Sequence, residues 1–303
     1  MGKVAVLGIF VADAAFRADR MPVMGETLLG NSFALGPGGK GSNQAVAAGR
    51  MGADVSLITA LGADAFAVMA RDMWREAGVT PVVREIADSY TGAAFIYVDE
   101  ATGDNAIIVA AGAAGLIGPE DIMRNTGVIE GADVFLTQLE QPMDAAMEGL
   151  AMARGAGVAT ILNPAPAAEL PDGMLGLCDY VTPNETETEA LTGIAVETPD
   201  DAARACAALR GLGVVTPIIT MGAQGVYLDG HGMVPAMQLG PVVETTGAGD
   251  AFNGGFASAL AAGSSPLEAA QFGCAVAGIS VTRPGAAASM PLRGEVDAVL
   301  ADQ

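Results

Sequence analysis

The chain reads as an α/β protein, a three-layer αβα sandwich around a mostly parallel sheet, and three observations carry that reading. Short apolar runs at 4–7, 55–59, 134–137, 160–162, 180–182 and 218–220 have the length of strands buried on both faces. Longer amphipathic segments at 64–77, 143–154, 200–212 and 250–262 alternate with them, as helices do when they cover both sides of a parallel sheet. The 303 residues are 51% hydrophobic and only 16% charged, so one large core can form and disorder is excluded.

Taken in order, Lys3 followed by an apolar stretch from Val4 that Asp13 ends is explained by a buried first strand and not by a cleaved leader. Residues 14–35 break the rhythm with turn signals at Met21-Pro22, Gly25 and Gly30-Asn31. Residues 91–111 break it again, reading as strands 94–99 and 105–109 joined by a turn containing Gly103. These two regions cannot easily enter a parallel sheet and are expected to form a small antiparallel lid over one end of it. The uncharged run 211–228 is interrupted by Pro217 and four glycines, so it reads as strand-turn-strand and not as a membrane span. No repeat or linker divides the chain, and a single domain over 1–303 is expected.

Charge narrows the function classes. Fourteen Lys and Arg against 35 Asp and Glu leave a net charge of −21, which repels nucleic acid and anionic membrane surfaces. Cys178, Cys206 and Cys274 show no paired spacing, which argues against disulfides or zinc and suits a reducing cytoplasm. The single histidine, His231 between two glycines, reads as a turn residue, leaving no imidazole for a hydrolytic triad.

Three segments carry chemistry. Glu244-Thr245-Thr246-Gly247-Ala248-Gly249-Asp250 leads into an apolar helix, so its N–H groups and the helix dipole can cradle an anion. Asp250 there would repel phosphate, but it makes sense as a general base taking a proton from an attacking hydroxyl. The same letters also suit a glycine turn with Asp250 capping its helix. Gly36-Pro37-Gly38-Gly39-Lys40-Gly41-Ser42-Asn43-Gln44 fits the letters of a dinucleotide fingerprint but follows no first βαβ strand, and it is not a P-loop. It reads better as a close-approach turn presenting Lys40 and Asn43 to a polar ligand. Thr182-Pro183-Asn184-Glu185-Thr186-Glu187 opens a helix whose Asn184 and Glu187 could hold hydrated magnesium or its phosphates, or simply form an acid-rich helix start. The loop from Thr220 through Gly222 to Gly225 and the strand end at Glu140 add ligand-approach positions at the sheet's carboxyl edge.

In this order the segments resemble the ribokinase-type carbohydrate kinases, the phosphofructokinase-B superfamily, from Val4 to about Leu300. The 38–43 and 245–250 stretches carry the resemblance. So do Asn184-Glu185-Thr186-Glu187, Leu162-Asn163-Pro164-Ala165-Pro166-Ala167 and the tail from Val281 to Ser289. It implies ATP-dependent phosphorylation of a sugar's primary hydroxyl with Mg²⁺ and K⁺, D-ribose being the expected acceptor. Other small sugars or nucleosides (fructose, deoxyribose, ketodeoxygluconate, adenosine) and a silent sugar-binding protein are the alternatives. A nucleotide-dependent oxidoreductase would leave the Asp250 stretch unexplained. By the same resemblance Asp250 is the base and Gly247, Ala248 and Gly249 its anion hole. Val11, Asp13, Gly39, Lys40, Asn43 and Glu140 match sugar-side positions, and Asn184, Thr220, Gly222, Gly225, Gly249 and Cys274 match ATP-side ones. Glu187 stands near magnesium, and Glu244, Thr246, Ser280, Arg283, Gly285 and Ser289 match a K⁺ site. The family's lid often pairs two subunits, so a homodimer is expected. Val11, Cys274 and Glu244 depart from the family's usual polar residues and aspartate.

Overall fold

The computed structural model describes residues 1–301. Strand β1 (Lys3–Leu7) runs through the middle of a nine-stranded sheet, and its alternating side chains feed two cores. Val4 and Val6 pack into one, Ala5 and Leu7 into the other.

After β1 the chain leaves this sheet for β2 (Val11–Ala18) and β3 (Ser32–Gly38), then returns through α1 (Lys40–Arg50) to β4 (Asp54–Leu61), α2 (Ala65–Glu76) and β5 (Val79–Glu85). It departs again for β6 (Thr91–Asp99) and β7 (Asn105–Gly112). Short helices α3 (Pro119–Arg124) and α4 (Thr126–Glu130) precede β8 (Val134–Thr137), α5 (Met143–Gly155), β9 (Ala159–Leu162) and β10 (Tyr180–Val181). The remainder is α6 (Glu185–Thr192), α7 (Pro199–Gly211), β11 (Thr216–Thr220), β12 (Gly225–Leu228), β13 (Gly232–Pro235), α8 (Ala248–Ala261), α9 (Pro266–Ser280) and α10 (Arg293–Ala301). Local chemistry starts several helices. Asp64 accepts the Ala67 N–H ahead of α2, and Thr198 with Asp201 and Ser265 with Glu268 form capping boxes before Pro199 and Pro266.

The large sheet runs β13-β12-β11-β10-β9-β8-β1-β4-β5, parallel from β11 to β5, with β12 antiparallel to both neighbours. Helices α1, α2, α8, α9 and α10 cover one face, and α3, α4, α5 and α7 contribute to the core on the other. The α/β sandwich expected from the alternating runs is therefore what forms. Strands after β1 build outward on one side and those from β8 on the other, which opens a crevice at the carboxyl ends of β1 and β8.

Strands β2, β3, β6 and β7 make a separate sheet in the order β3-β2-β6-β7. Both outer pairs are antiparallel, as the sequence suggests for the hairpins, but β2 and β6 pair in parallel, Asp13 opposite Ala94. The reason is topological. The two strands follow β1 and β5, which point the same way in the large sheet, through connections of a few residues.

The glycine-rich segment 36–44, read from sequence as a turn, is in fact a strand end followed directly by α1. Gly39 caps the helix at φ +90°, and Lys40 is its first residue. Helix α1 packs tightly on α8 at Gly254, where a Cβ would fall 2.4 Å from that of Ala47 and 2.5 Å from the Gln44 carbonyl. His231 lies in the turn between β12 and β13, and the three cysteines are free and buried. Among the described residues no helix is long and apolar enough to cross a membrane.

Candidate active site

Helix α8 begins at the carboxyl edge of the sheet. Gly247 caps it in the left-handed conformation, φ +80°, where a Cβ would also lie 2.9 Å from that of Ala286. The first-turn N–H groups, those of Gly249 and Asp250 among them, have no intrahelical acceptor, and the dipole makes this end positive. Asp250 turns inward and is buried. Its Oδ2 accepts from Asn43 Nδ2 at 2.9 Å, and its Oδ1 from Gln44 Nε2 at 2.9 Å. Both donors belong to the first turn of α1, brought there by the Gly254 contact.

Lys40 starts the same helix, and its backbone N–H donates to Glu140 Oε2 at 2.7 Å. Glu140 stands just beyond β8. Asp13, on β2, lies so close to Gly38 that a Cβ on that glycine would fall 2.0 Å from the carboxylate. Val11, expected on the substrate side, is instead packed in the core with Leu7 and Ile9 and offers no polar atom.

The electrostatics follow from crowding acids in a dry place. Burial pushes the Asp250 carboxyl above its ordinary range, against the opposing pull of Lys40, Asn43 and Gln44. Burial, then the Asp250 charge, raises Asp13 to about 6. Burial also raises Glu140 to about 7; Lys40 opposes this, while Asp250 and Asp13 add to it. Glu187 is raised too, chiefly by burial. For Lys40, burial favours the neutral amine, but Asp250, Glu140 and Glu187 outweigh it and keep the ammonium charged. Three carboxylates, Asp250, Glu140 and Glu187, thus share one cation, with Asp13 adding its charge beside Asp250.

On the other side of the α8 start lies a cavity of about 630 Å³. Asn184, Thr220, Gly222, Gly225, Ala248 and Gly249 line its polar mouth, and Phe252, Cys274 and Val281 its apolar part. Gly225, at φ +107°, leaves no room for a side chain, since a Cβ would sit 2.1 Å from the Val234 carbonyl. Asn184 and Glu187 form a reciprocal cap at the start of α6, each side chain accepting the other's N–H. A smaller cavity of about 200 Å³, bordered by Lys3 and Asp54, lies at the opposite, amino edge of the sheet, away from these groups.

The region behind Gly247 gathers residues from two stretches. The Glu244 carboxylate accepts the Gly285 N–H at 2.8 Å, and the Val243 N–H donates to the Val281 carbonyl at 2.8 Å. The Ser280 and Ser289 hydroxyls donate to the carbonyls of Ala277 and Ala286, and the Arg283 guanidinium pairs with Glu295. Thr246 lies on the exposed strand of chain leading into Gly247.

Residues 1–293 match the pfkB family carbohydrate kinases. The chain belongs to this family. It is 38% identical over 293 residues to a ribokinase of Haemophilus influenzae, covering 96% of this chain and 95% of that protein. It is also 35% identical over 296 residues to a deoxyribokinase of Salmonella typhi, covering 95% of each. Its fold superposes on the structure of Arabidopsis thaliana ribokinase complexed with ribose and ATP with a TM-score of 0.90 at 30% identity, over 99% of each chain.

For a carbohydrate kinase the arrangement is chemically coherent. One side is rich in hydroxyl acceptors, Asp13, Asn43 and Glu140, the cavity on the other is partly apolar, and Asp250 with the α8 start stands between them. Sequence reasoning singled out Asp250, Asn43 and Glu140 but gave no role to Gln44, Gln138, Asn163 or Asn253, which form the hydrogen-bonded wall behind Asp250. The signal was there in part. Ser42-Asn43-Gln44 is a polar patch on a helix that is otherwise small and apolar, and all three residues are buried.

Proposed function

We propose that the chain transfers the γ-phosphoryl group of ATP to the primary hydroxyl of D-ribose, giving D-ribose 5-phosphate and ADP. The observation that carries this reading is Asp250, a buried carboxylate in the first turn of α8, between the acceptor-rich compartment and the large cavity. Asp250 takes the proton of the sugar hydroxyl as that oxygen bonds to the γ-phosphorus. The bond from phosphorus to the ADP oxygen breaks, and the N–H groups of Gly247 and Gly249 stabilise charge on the transferring group; the Ala248 N–H, expected in the same cradle, donates instead to the Thr245 carbonyl at 3.1 Å.

Asp13, Asn43 and Glu140, with the backbone at Gly39 and Lys40, hold the sugar hydroxyls. Asn43 suits this role because its Oδ1 is buried without a partner, an acceptor that a hydroxyl would satisfy. ATP lies along Asn184, Thr220, Gly222, Gly225 and Gly249, its base toward Cys274. The surplus of carboxylates over ammonium groups favours a divalent cation, and Glu187 would hold hydrated Mg²⁺, which supplies charge neutralisation on the phosphates. Glu244, Thr246, Ser280, Arg283, Gly285 and Ser289 offer only oxygen ligands with one carboxylate, a set that fits K⁺. Its effect there would be to hold the Gly247 turn. The four-stranded sheet serves as the lid over the sugar. Its exposed Phe16 packs against Phe33 at 4.8 Å and Phe95 at 5.8 Å, beside exposed Ile107 and Ile108. A second copy of the chain would cover this face and its free strand edges.

Four outcomes are expected. Asp250→Asn lowers turnover by ~10²–10⁴-fold while calorimetry still detects ATP binding, and near-normal turnover would remove Asp250 from the role of base. Chelating Mg²⁺ abolishes turnover, and replacing K⁺ by a bulky organic cation at constant ionic strength lowers it; equal rates in both cations would exclude the K⁺ site. Light scattering at micromolar concentration gives twice the 30.2 kDa chain mass, and a monomer alone would refute the dimer.

A further inference from the structure

Behind Asp250 lies a closed ring of buried polar side chains that the reaction itself does not touch. Gln44, with no exposed surface, donates through Nε2 both to Asp250 Oδ1 at 2.9 Å and to Asn163 Oδ1 at 3.0 Å. Asn163 Nδ2 donates to the Thr182 carbonyl at 3.1 Å, and the Thr182 hydroxyl to Asn253 Oδ1 at 2.7 Å. Asn253 Nδ2 returns to the Gly249 carbonyl at 2.8 Å, next to Asp250. The ring ties the first turn of α8 to the segments beyond β9 and β10. A spur runs from Gln138, beyond β8, whose Nε2 donates to Gln44 Oε1.

The direction of this spur is informative. A carboxylate only accepts, so Gln44 must face it with its amide nitrogen and find a donor for its own oxygen. Gln138 supplies that donor, and the cost is moved to the far end. There Gln138 Oε1 is buried with no partner, wedged where a Cβ on Gly8 or Gly41 would fall 2.6 or 2.7 Å from it. Along this chain each amide keeps its N–H turned toward the carboxylate, Gln138 to Gln44 and Gln44 to Asp250, and the unpaired acceptor is left at the end farthest from it.

We propose that Gln44 is a positioning residue for the base, fixed in orientation by Gln138, and that it engages Asp250 Oδ1 from the interior so that Oδ2, beside Asn43, takes the sugar's proton. The inference rests on Asp250 being the base. Gln44 stabilises the ionised carboxylate against its burial, so losing that donor raises the proton affinity of Asp250. The pH below which turnover fails then moves upward. Because Gln44 is sealed from the cavity, ribose affinity stays nearly as it was.

The test is the pH profile of kcat at saturating ribose and ATP for Gln44→Met and Gln138→Met, with Asp250→Asn alongside. Methionine matches glutamine in size and removes the amide. The acidic limb of kcat moves up by about one pH unit in Gln44→Met, and by less in the same direction in Gln138→Met. KM for ribose changes by no more than about twofold. An unmoved limb, or a loss of kcat equal at every pH, overturns the positioning role. Should Gln44→Met not fold by circular dichroism, Gln138→Met decides the matter by the same criterion. Full turnover in Asp250→Asn would instead overturn the base assignment, which separates the two failures.

Discussion

The site depends on one close approach, that of α1 to α8 at Gly254. A side chain there would strike Ala47 and the Gln44 carbonyl, so only glycine lets the two helices meet. That contact sets Asn43 and Gln44 against both oxygens of Asp250. Without donors at that distance, a carboxylate buried this deeply would simply keep its proton and could not act as a base. Helix packing therefore supplies the donors on which the proposed role of Asp250 as a base depends.

The surrounding charge follows a similar logic. Glu140, Glu187 and Asp250 crowd about Lys40 with Asp13 beside Asp250, and repulsion among these charges adds to burial in raising the pKa values of Asp13, Glu140 and Glu187. A neutral polyol suits such a place, because its hydroxyls donate to carboxylates without adding charge. A polyphosphate needs positive potential, which the α8 start supplies through N–H groups and a divalent cation would supply through charge. The proposed division into a sugar side and a nucleotide side is therefore electrostatic as well as geometric.

Much of this was legible in the sequence. Buried parallel strands announce themselves as unbroken apolar runs, so the sequence places β1, β8 and β9 nearly to the residue, and the glycine before Asp250 marks a helix start. Strand β5 lacks an unbroken apolar run, because it lies at the sheet edge and carries Pro81, Arg84 and Glu85, so its sequence does not announce it. The start of α1 was hidden because Gly38, Gly39 and Gly41 look like a turn, although only Gly39 has a positive φ among them. The Gln44–Asn163–Thr182–Asn253 ring could not be read at all, because its links span 119, 19 and 71 positions and share no local pattern. Motif resemblance located the groups expected to meet substrate but was silent on those that hold them.

The most direct test of the account is ADP release coupled to a panel of acceptors: D-ribose, 2-deoxy-D-ribose, D-fructose and adenosine, each with ATP and Mg²⁺. Specificity built on hydroxyl acceptors predicts the highest kcat/KM with ribose and a marked loss on removing the 2-hydroxyl, because a buried acceptor is then left unpaired. A higher kcat/KM with deoxyribose or adenosine would contradict the ribose assignment, and no ADP release with any acceptor would contradict the kinase reading of the site.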